Sequence, residues 1–285
     1  MELEIAFSTD IGNVREINED AVYAETRVAK GRVSPYAALL VADGLGGHEG
    51  GEVASAMAKT AFCDIVAEPL FAGEIIPEAL PVALSKSIKV ANEQIFEWGS
   101  HSHAMARPGT TMTAAVASPE RYYLAHVGDS RAYVVTPQQA LQITDDDSVV
   151  AEAVRQGLLT DQEAKVSPFR NQLTRSVGTG DSVDPSGYGG DLDEGDVVLL
   201  CSDGFSEYIS ADELHAEVLT GNTLQAICDQ FVRTAKLRGG HDNITVAAVR
   251  FGNWNRRSDE VETARNGRTK PKAGTKKLSL FKPFG

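Results

Sequence analysis

The sequence is short of the features that would take a chain into a membrane or an oxidising compartment. It has three cysteines, Cys63, Cys201 and Cys228, an odd number at wide spacing without a CxxC pair, which argues against a disulfide framework and a zinc knuckle. No apolar run approaches the roughly 20 residues that span a bilayer, and the first residues, "MELEIAFSTD", carry acids where a secretion signal has a basic flank. Membrane insertion and ordinary secretion are not expected; a reducing cytoplasm is. Positive charge is scarce as well, with 27 Lys and Arg against 40 Asp and Glu. The deficit is uneven. Residues 252–285 hold nine Lys or Arg and three acids, so this tail carries +6 of a total of −13 and residues 1–251 carry −19. An acidic body repels nucleic acid and anionic membrane while tolerating divalent cations, so no nucleic-acid partner is expected.

What is there is ample apolar content for a core, in short β-branched runs at about 3–8, 20–26, 36–43, 112–117, 121–127, 131–136, 140–143, 196–202 and 244–250. Helical periodicity occupies about 51–67, 78–98, 149–157, 211–219 and 222–238. Pairs such as 112–118 and 121–128, joined by "SPE", predict antiparallel hairpins, and an α+β layered architecture follows. No linker divides residues 1–251, which predicts one domain. From residue 252 the chain loses periodicity and gains Lys, Arg, Gly and Thr, which predicts a solvated, poorly ordered extension ending in the apolar "LSLFKPFG".

Acidic residues stand at the ends of the apolar runs. Asp43, Asp129 and Asp203 follow a strand, whereas Glu19, Asp20 and Asp242 precede one. In antiparallel sheet the end of one strand lies beside the start of its neighbour, so both groups can converge on one rim. Two carboxylates about 5 Å apart at an effective dielectric near 20 repel by roughly 3 kcal/mol, and several together need a counter-charge. Few Lys or Arg are near in sequence, and oxygen-only ligands suit magnesium or manganese rather than zinc. Such ions would activate water for attack on phosphorus, so metal-assisted phosphate ester hydrolysis is the implied chemistry. Gly44 and Gly204, each following an Asp, would let the backbone turn sharply there. An Asp-Gly after a strand is also ordinary turn chemistry, and spacing alone leaves both readings open.

Taken in order, "STDIGNVREINEDA", "VADGLGGHEGGEVAS", "GTTMTAAV", "AHVGDSRAYVV", "QITDDDSVV", "FRNQLTRSVG", "LLCSDGFSEYI" and "GGHDNITVAAV" resemble the motif series of the type 2C, metal-dependent serine/threonine protein phosphatases in their compact bacterial form. The resemblance covers about residues 3–250. It implies a four-layer α-β-β-α sandwich, with two central antiparallel sheets, a flap subdomain at about 144–190 and a two-metal centre at one end. Asp43 resembles the carboxylate bridging two manganese or magnesium ions, with the Gly44 carbonyl on one of them. Asp203 and Asp242 resemble holders of the first ion. Glu19 resembles the carboxylate that approaches the second, with Asp20 orienting its waters, and Asp129 resembles a ligand, shared with Asp203, of a third, weaker ion. Arg15 resembles the phosphate-binding arginine, whose planar fork suits two phosphate oxygens. Asn243 is expected to brace the Asp242 loop.

The chain departs from the family at several points. Leu45 stands where many eukaryotic members have the His proposed as general acid, so the leaving group must be protonated by water or another residue. His48, three positions on, reads as a surface residue at a helix entry. Asp147 and Ser167 stand where relatives often show His; the run Asp145-Asp146-Asp147 reads as a solvated loop, and "HSH" at 101–103 as a polar loop. Thr110, Thr111 and Thr113 read as strand residues. The family implies a phosphorylated protein as substrate, a cognate Ser/Thr kinase as opponent, a role in bacterial signal transduction, and a monomer. The rival readings are a non-catalytic phosphoprotein-binding module of the same fold and the phosphatase of a sigma-factor-type switch. The tail is either solubilising or a dock for a partner or membrane surface, with Leu278, Leu280, Phe281 and Phe284 as anchors.

Overall fold

The computed structural model describes residues 3–45, 50–101, 107–252 and 279–280. Two sheets, antiparallel throughout, form its centre. One contains β1 (Leu3–Asp10), β7 (Arg131–Val135), β8 (Ala140–Gln142), β10 (Val197–Cys201) and β11 (Ile244–Phe251), in the order β1-β11-β10-β7-β8. The other contains β2 (Asp20–Val28), β3 (Pro35–Leu45), β5 (Met112–Ala117), β6 (Arg121–Val127), β9 (Ser186–Asp191) and β12 (Ser279–Leu280), in the order β12-β9-β6-β5-β3-β2. A short β4 (Gly109–Thr110) pairs with the end of β3.

The period of two along each strand builds the layers. Leu39 and Val41 face Val198, Leu200 and Val249 between the sheets, while their neighbours Leu40 and Ala42 point outward. That outer face packs on α1 (Gly51–Phe62) and α3 (Leu80–His101) through Ala54, Ala58, Leu84 and Ile88. On the opposite side Leu199, Val246 and Ala248 pack on α7 (Ala211–Val218) and α8 (Leu224–Leu237) through Leu214, Ile227 and Phe231. Central strands therefore have both faces covered, which is why β5, β10 and β11 read as mainly apolar runs with every residue buried, Thr113, Thr245 and Arg250 being the polar members. The result is an α-β-β-α sandwich.

The helical run expected over 51–67 is interrupted. α1 ends at Phe62, a π-helical turn covers Cys63–Ala67, and α2 (Glu68–Phe71) continues from it. Between β8 and β9 lie α4 (Val149–Arg155) and α5 (Asp161–Val166), the latter started by a capping box in which Thr160 and Glu163 bond reciprocally. This insertion is pinned at its ends by bridges Ser148↔Leu173 and Thr110↔Val177. The acidic run at its base is the solvated loop expected only at Asp145, which is exposed; Asp146 and Asp147 are drawn in. Asp146 takes two bonds from Arg131, and Asp147, 5% exposed, accepts from the Gly128 N–H and from Arg175. Both carboxylates have partners, which explains how they can be withdrawn from water. All three cysteines are free, and among the described residues no helix is long and apolar enough to cross a membrane. The expected anchors Leu278, Phe281 and Phe284 lie outside the described residues.

Candidate metal centre

Strand register does the gathering. β2 pairs with β3 so that Asp20 is directly opposite Asp43, a geometry that holds the two Cβ atoms about 4.5–5.5 Å apart. Asp203 opens the single-turn helix α6 (Asp203–Ser206) just after β10, and Asp242 stands just before β11, the partner of β10. Asp129 sits in the turn between β6 and β7, where the chain passes from one sheet to the other. Residues far apart in sequence therefore share one rim of the sandwich.

Their electrostatics show how closely. Burial, with added repulsion from Asp203 and Asp242, pushes the Asp20 carboxyl up to about 7. Asp43 is raised well above the usual carboxylate range by burial and then by the charges of Asp20, Asp203, Asp129 and Asp242. Burial raises Asp129, with Asp203 and Asp146 adding to it, and burial also raises Asp203, with Asp242 adding and a hydrogen bond shared with Asp43 opposing. Both carboxylate oxygens of Asp20 and one of Asp203 are buried with no hydrogen-bond partner. Uncompensated buried acceptors of this kind are expensive in a folded protein. Among the described residues no three His, Cys, Asp or Glu side chains meet tightly enough to grasp an ion as they stand. The rim is nonetheless all oxygen and anionic, which is the donor chemistry of magnesium or manganese, so the residues fit such an ion.

Arg15, in the loop after β1, is the cation at the rim. Its Nη2 donates to Asp242 Oδ2 at 2.6 Å and its Nη1 is 4.0 Å from Glu19 Oε2. Glu19 is buried, and its carboxylate lies against the first residue of α1, where the helix dipole favours an anion. The loop carrying Arg15 and Glu19 is shaped by Asn243. The Asn243 Oδ1 accepts the Glu19 N–H at 2.8 Å, and its Nδ2 donates to the carbonyls of Ile11 and Ile17, each at 3.0 Å. Asn243 therefore braces the loop of residues 11–19 more than the Asp242 loop expected from sequence.

Asp43 is held through its backbone. Its N–H donates to the Thr111 hydroxyl at 2.9 Å, and its carbonyl accepts from the Thr111 N–H and the Thr110 hydroxyl. Gly44 and Gly204 serve a purpose other than the sharp turn expected. Neither has a positive φ; Gly44 lies within β3, whose backbone approaches Gly51 and Glu19, and Gly204 lies against the carbonyl of Asn243. A Cβ at either position would overlap main chain, so glycine is needed for close approach. Leu45 ends β3, whereas Gly46, Gly47 and His48 lie outside the described residues. His101 is the last residue of α3 with its ring on the Glu97 carbonyl; Ser102 and His103 are outside the described residues.

Sequence reasoning missed the hydroxyls of Thr111, Ser130, Ser202 and Thr245 that surround the carboxylates, and also the groove beside them. This cavity of about 850 Å3 is lined by Asp129 and Asp203 together with Asp145, Asp146 and Lys165 of the insertion and Tyr208.

The sequence model of a family described as Protein phosphatase 2C matches residues 14–238. The chain is 32% identical over 243 residues to the serine/threonine phosphatase stp of Listeria innocua, covering 85% of this chain and 94% of that one. The structure of the S. agalactiae serine/threonine phosphatase superposes with a TM-score of 0.78 at 32% identity, over 88% of this chain and 100% of that one. The catalytic domain of the serine threonine protein phosphatase PstP, solved in complex with 2 manganese ions, superposes with a TM-score of 0.74 at 31% identity, over 88% and 99%. The rim of carboxylates, the two-sheet sandwich and these likenesses agree, and the chain belongs to the protein phosphatase 2C family.

Proposed function

We propose that the chain is a manganese- or magnesium-dependent protein phosphatase that hydrolyses phosphoserine and phosphothreonine. The observation that carries this reading is the single rim on which strand register gathers Asp20, Asp43, Asp129, Asp203 and Asp242, with buried carboxylate oxygens of Asp20 and Asp203 left without a hydrogen-bond partner. The Listeria and streptococcal relatives, both serine/threonine phosphatases, and the manganese in PstP support it. Asp43, Asp203 and Asp242, with Glu19, Asp20 and the carbonyl of Gly44, would hold two ions, and Asp129 with Asp203 a third. When bound, such ions supply counter-charge to the phosphoryl group and acidify a water for in-line attack on phosphorus.

The chain's own residues do the positioning. The half-exposed Arg15 guanidinium is held at the rim by Asp242 through Nη2, with Nη1 4.0 Å from Glu19, and its planar fork suits two phosphate oxygens. Asn243 fixes the loop from which Arg15 and Glu19 project. The groove leading from Asp129 and Asp203 offers room for the polypeptide beyond the phosphorylated residue. With Leu45 at the end of β3, the leaving-group proton must come from water or from a residue other than one at that position. We place the catalytic domain at residues 1–251 with the flap at about 144–190, and read the protein as a cytoplasmic monomer opposing a Ser/Thr kinase. The basic tail is the segment that would dock a partner or membrane.

Purified protein should hydrolyse an aryl phosphate and a phosphothreonine peptide with manganese, and stop when the metal is chelated. Asp43→Ala and Asp242→Ala should abolish both activities with the fold retained. Hydrolysis persisting after complete metal removal would overturn the reading, and binding of a phosphopeptide without any turnover would favour a regulatory module.

A further inference from the structure

His126, on β6, is fully buried and belongs to none of the groups above. Its Nε2 is 3.2 Å from the carbonyl oxygen of Asp145, and its Nδ1 is 2.9 Å from the Thr113 hydroxyl. A carbonyl can only accept, so Nε2 carries the hydrogen. Burial lowers the imidazole's pKa, which keeps the ring neutral and leaves Nδ1 to accept from Thr113. The contact is one end of a line of buried polar groups. The single Thr113 hydroxyl hydrogen is shared between His126 Nδ1 and the Ser130 carbonyl, 3.1 Å from Oγ1; Ser130 Oγ is 2.7 Å from Thr111 Oγ1, and Thr111 Oγ1 receives the Asp43 N–H. Thr111, Thr113, His126 and Ser130 are all inaccessible to water, so each bond lost would leave a group unpaired.

The two ends of this line matter for substrate. One is Asp43 and the turn holding Asp129. The other is Asp145, the first acid of the flap, whose N–H also donates to the Tyr188 hydroxyl at 3.3 Å. Asp145 and Asp146 wall the groove that opens from Asp129 and Asp203. We propose that His126 is a positioning residue for substrate, fixing the Asp145 carbonyl through its Nε2–H and so setting the flap wall of the groove against the carboxylate rim. The role rests on the reading of the chain as a protein phosphatase, because it concerns the polypeptide beyond the phosphate.

Glutamine at 126 places an amide nitrogen near the Nε2 position, and asparagine near the Nδ1 position, so the two variants divide the contacts. With saturating manganese, His126→Gln should keep the KM for a phosphothreonine peptide within about twofold, while His126→Asn should raise it on the order of tenfold, the scale of one lost buried hydrogen bond. For both variants, kcat and KM on an aryl phosphate, which has no polypeptide to lie along the flap wall, should stay within about threefold of the parent. Equal peptide KM values for the two variants, or equal losses on both substrates, would overturn the proposal. Nitrogen-15 spectra of the unmodified protein provide a check independent of folding in the variants: a neutral ring with a slowly exchanging Nε2–H is expected, and a Nδ1–H tautomer or an imidazolium at neutral pH refutes it. Absence of any turnover by the parent protein would sink the phosphatase reading instead, and leaves the tautomer to be scored separately.

Discussion

Replacing Asp20 by asparagine should stabilise the metal-free protein, although it removes a residue assigned to the metal centre. The Asp20 carboxyl is fully buried with both oxygens unpartnered, and its pKa stands at about 7 against an ordinary 3.8. A raised folded pKa means that the folded chain keeps a proton that the unfolded chain has already released. Stability should therefore be greatest below about pH 4 as far as this group is concerned, and fall as pH rises to about 7. A difference of about 3 pKa units corresponds to roughly 4 kcal/mol, shared in part with Asp43 and Asp203, so a change of about 2–4 kcal/mol is the expectation. Asparagine has no charge to bury, and its stability should lack this contribution to the pH slope. In thermal unfolding with chelator, followed by circular dichroism from pH 5 to 8, the variant's midpoint should exceed the parent's on the order of 5–10 °C at pH 8, with the gap closing toward pH 5. Added manganese should raise the parent's midpoint more than the variant's. Equal midpoints for the two metal-free proteins at pH 8, or a gap independent of pH, would refute the reasoning.

Asn243→Ala deletes the acceptor for the Glu19 N–H and the donor to two loop carbonyls at a buried position; a loss of about 2–4 kcal/mol is expected in urea unfolding with manganese present, and a loss below about 1 kcal/mol would contradict the bracing role. Gly204→Ala puts a methyl against the Asn243 carbonyl, so the Asp203 and Asp242 loops must separate. A destabilisation of about 1–3 kcal/mol with weakened manganese binding by calorimetry is expected, and unchanged affinity would count against that close approach. Deleting residues 256–285 should spare aryl phosphate hydrolysis and reduce activity on the natural phosphoprotein; equal effects on both, or none on either, would reject docking by the tail.

The central strands were legible because a strand covered on both faces is apolar at most positions. The runs at 112–117 and 244–250 correspond closely to Met112–Ala117 and Ile244–Phe251. β9 was missed for the opposite reason: "SGYGGD" holds three glycines, and its pairing with β6 is supplied by a neighbour rather than by its own β propensity. The single-turn α6 has no period to detect. Acids at strand ends were visible as a set, and antiparallel geometry made their convergence reasonable. The motif series, more than spacing, assigned them roles. What local sequence could not convey was contact between distant segments: Asn243 reaching Ile11 and Ile17, or Asp147 enclosed by Gly128 and Arg175.

The seven-stranded sheet closes with a piece borrowed from the far end of the chain. Ser279 and Leu280 pair with Gly189 and Tyr188, so β9 is not left as the border of that sheet. A ladder of two residues is weak by itself. An incoming extended peptide would seek the same main-chain groups. Occupation of that border by another molecule and departure of Ser279 and Leu280 from it would then be one event.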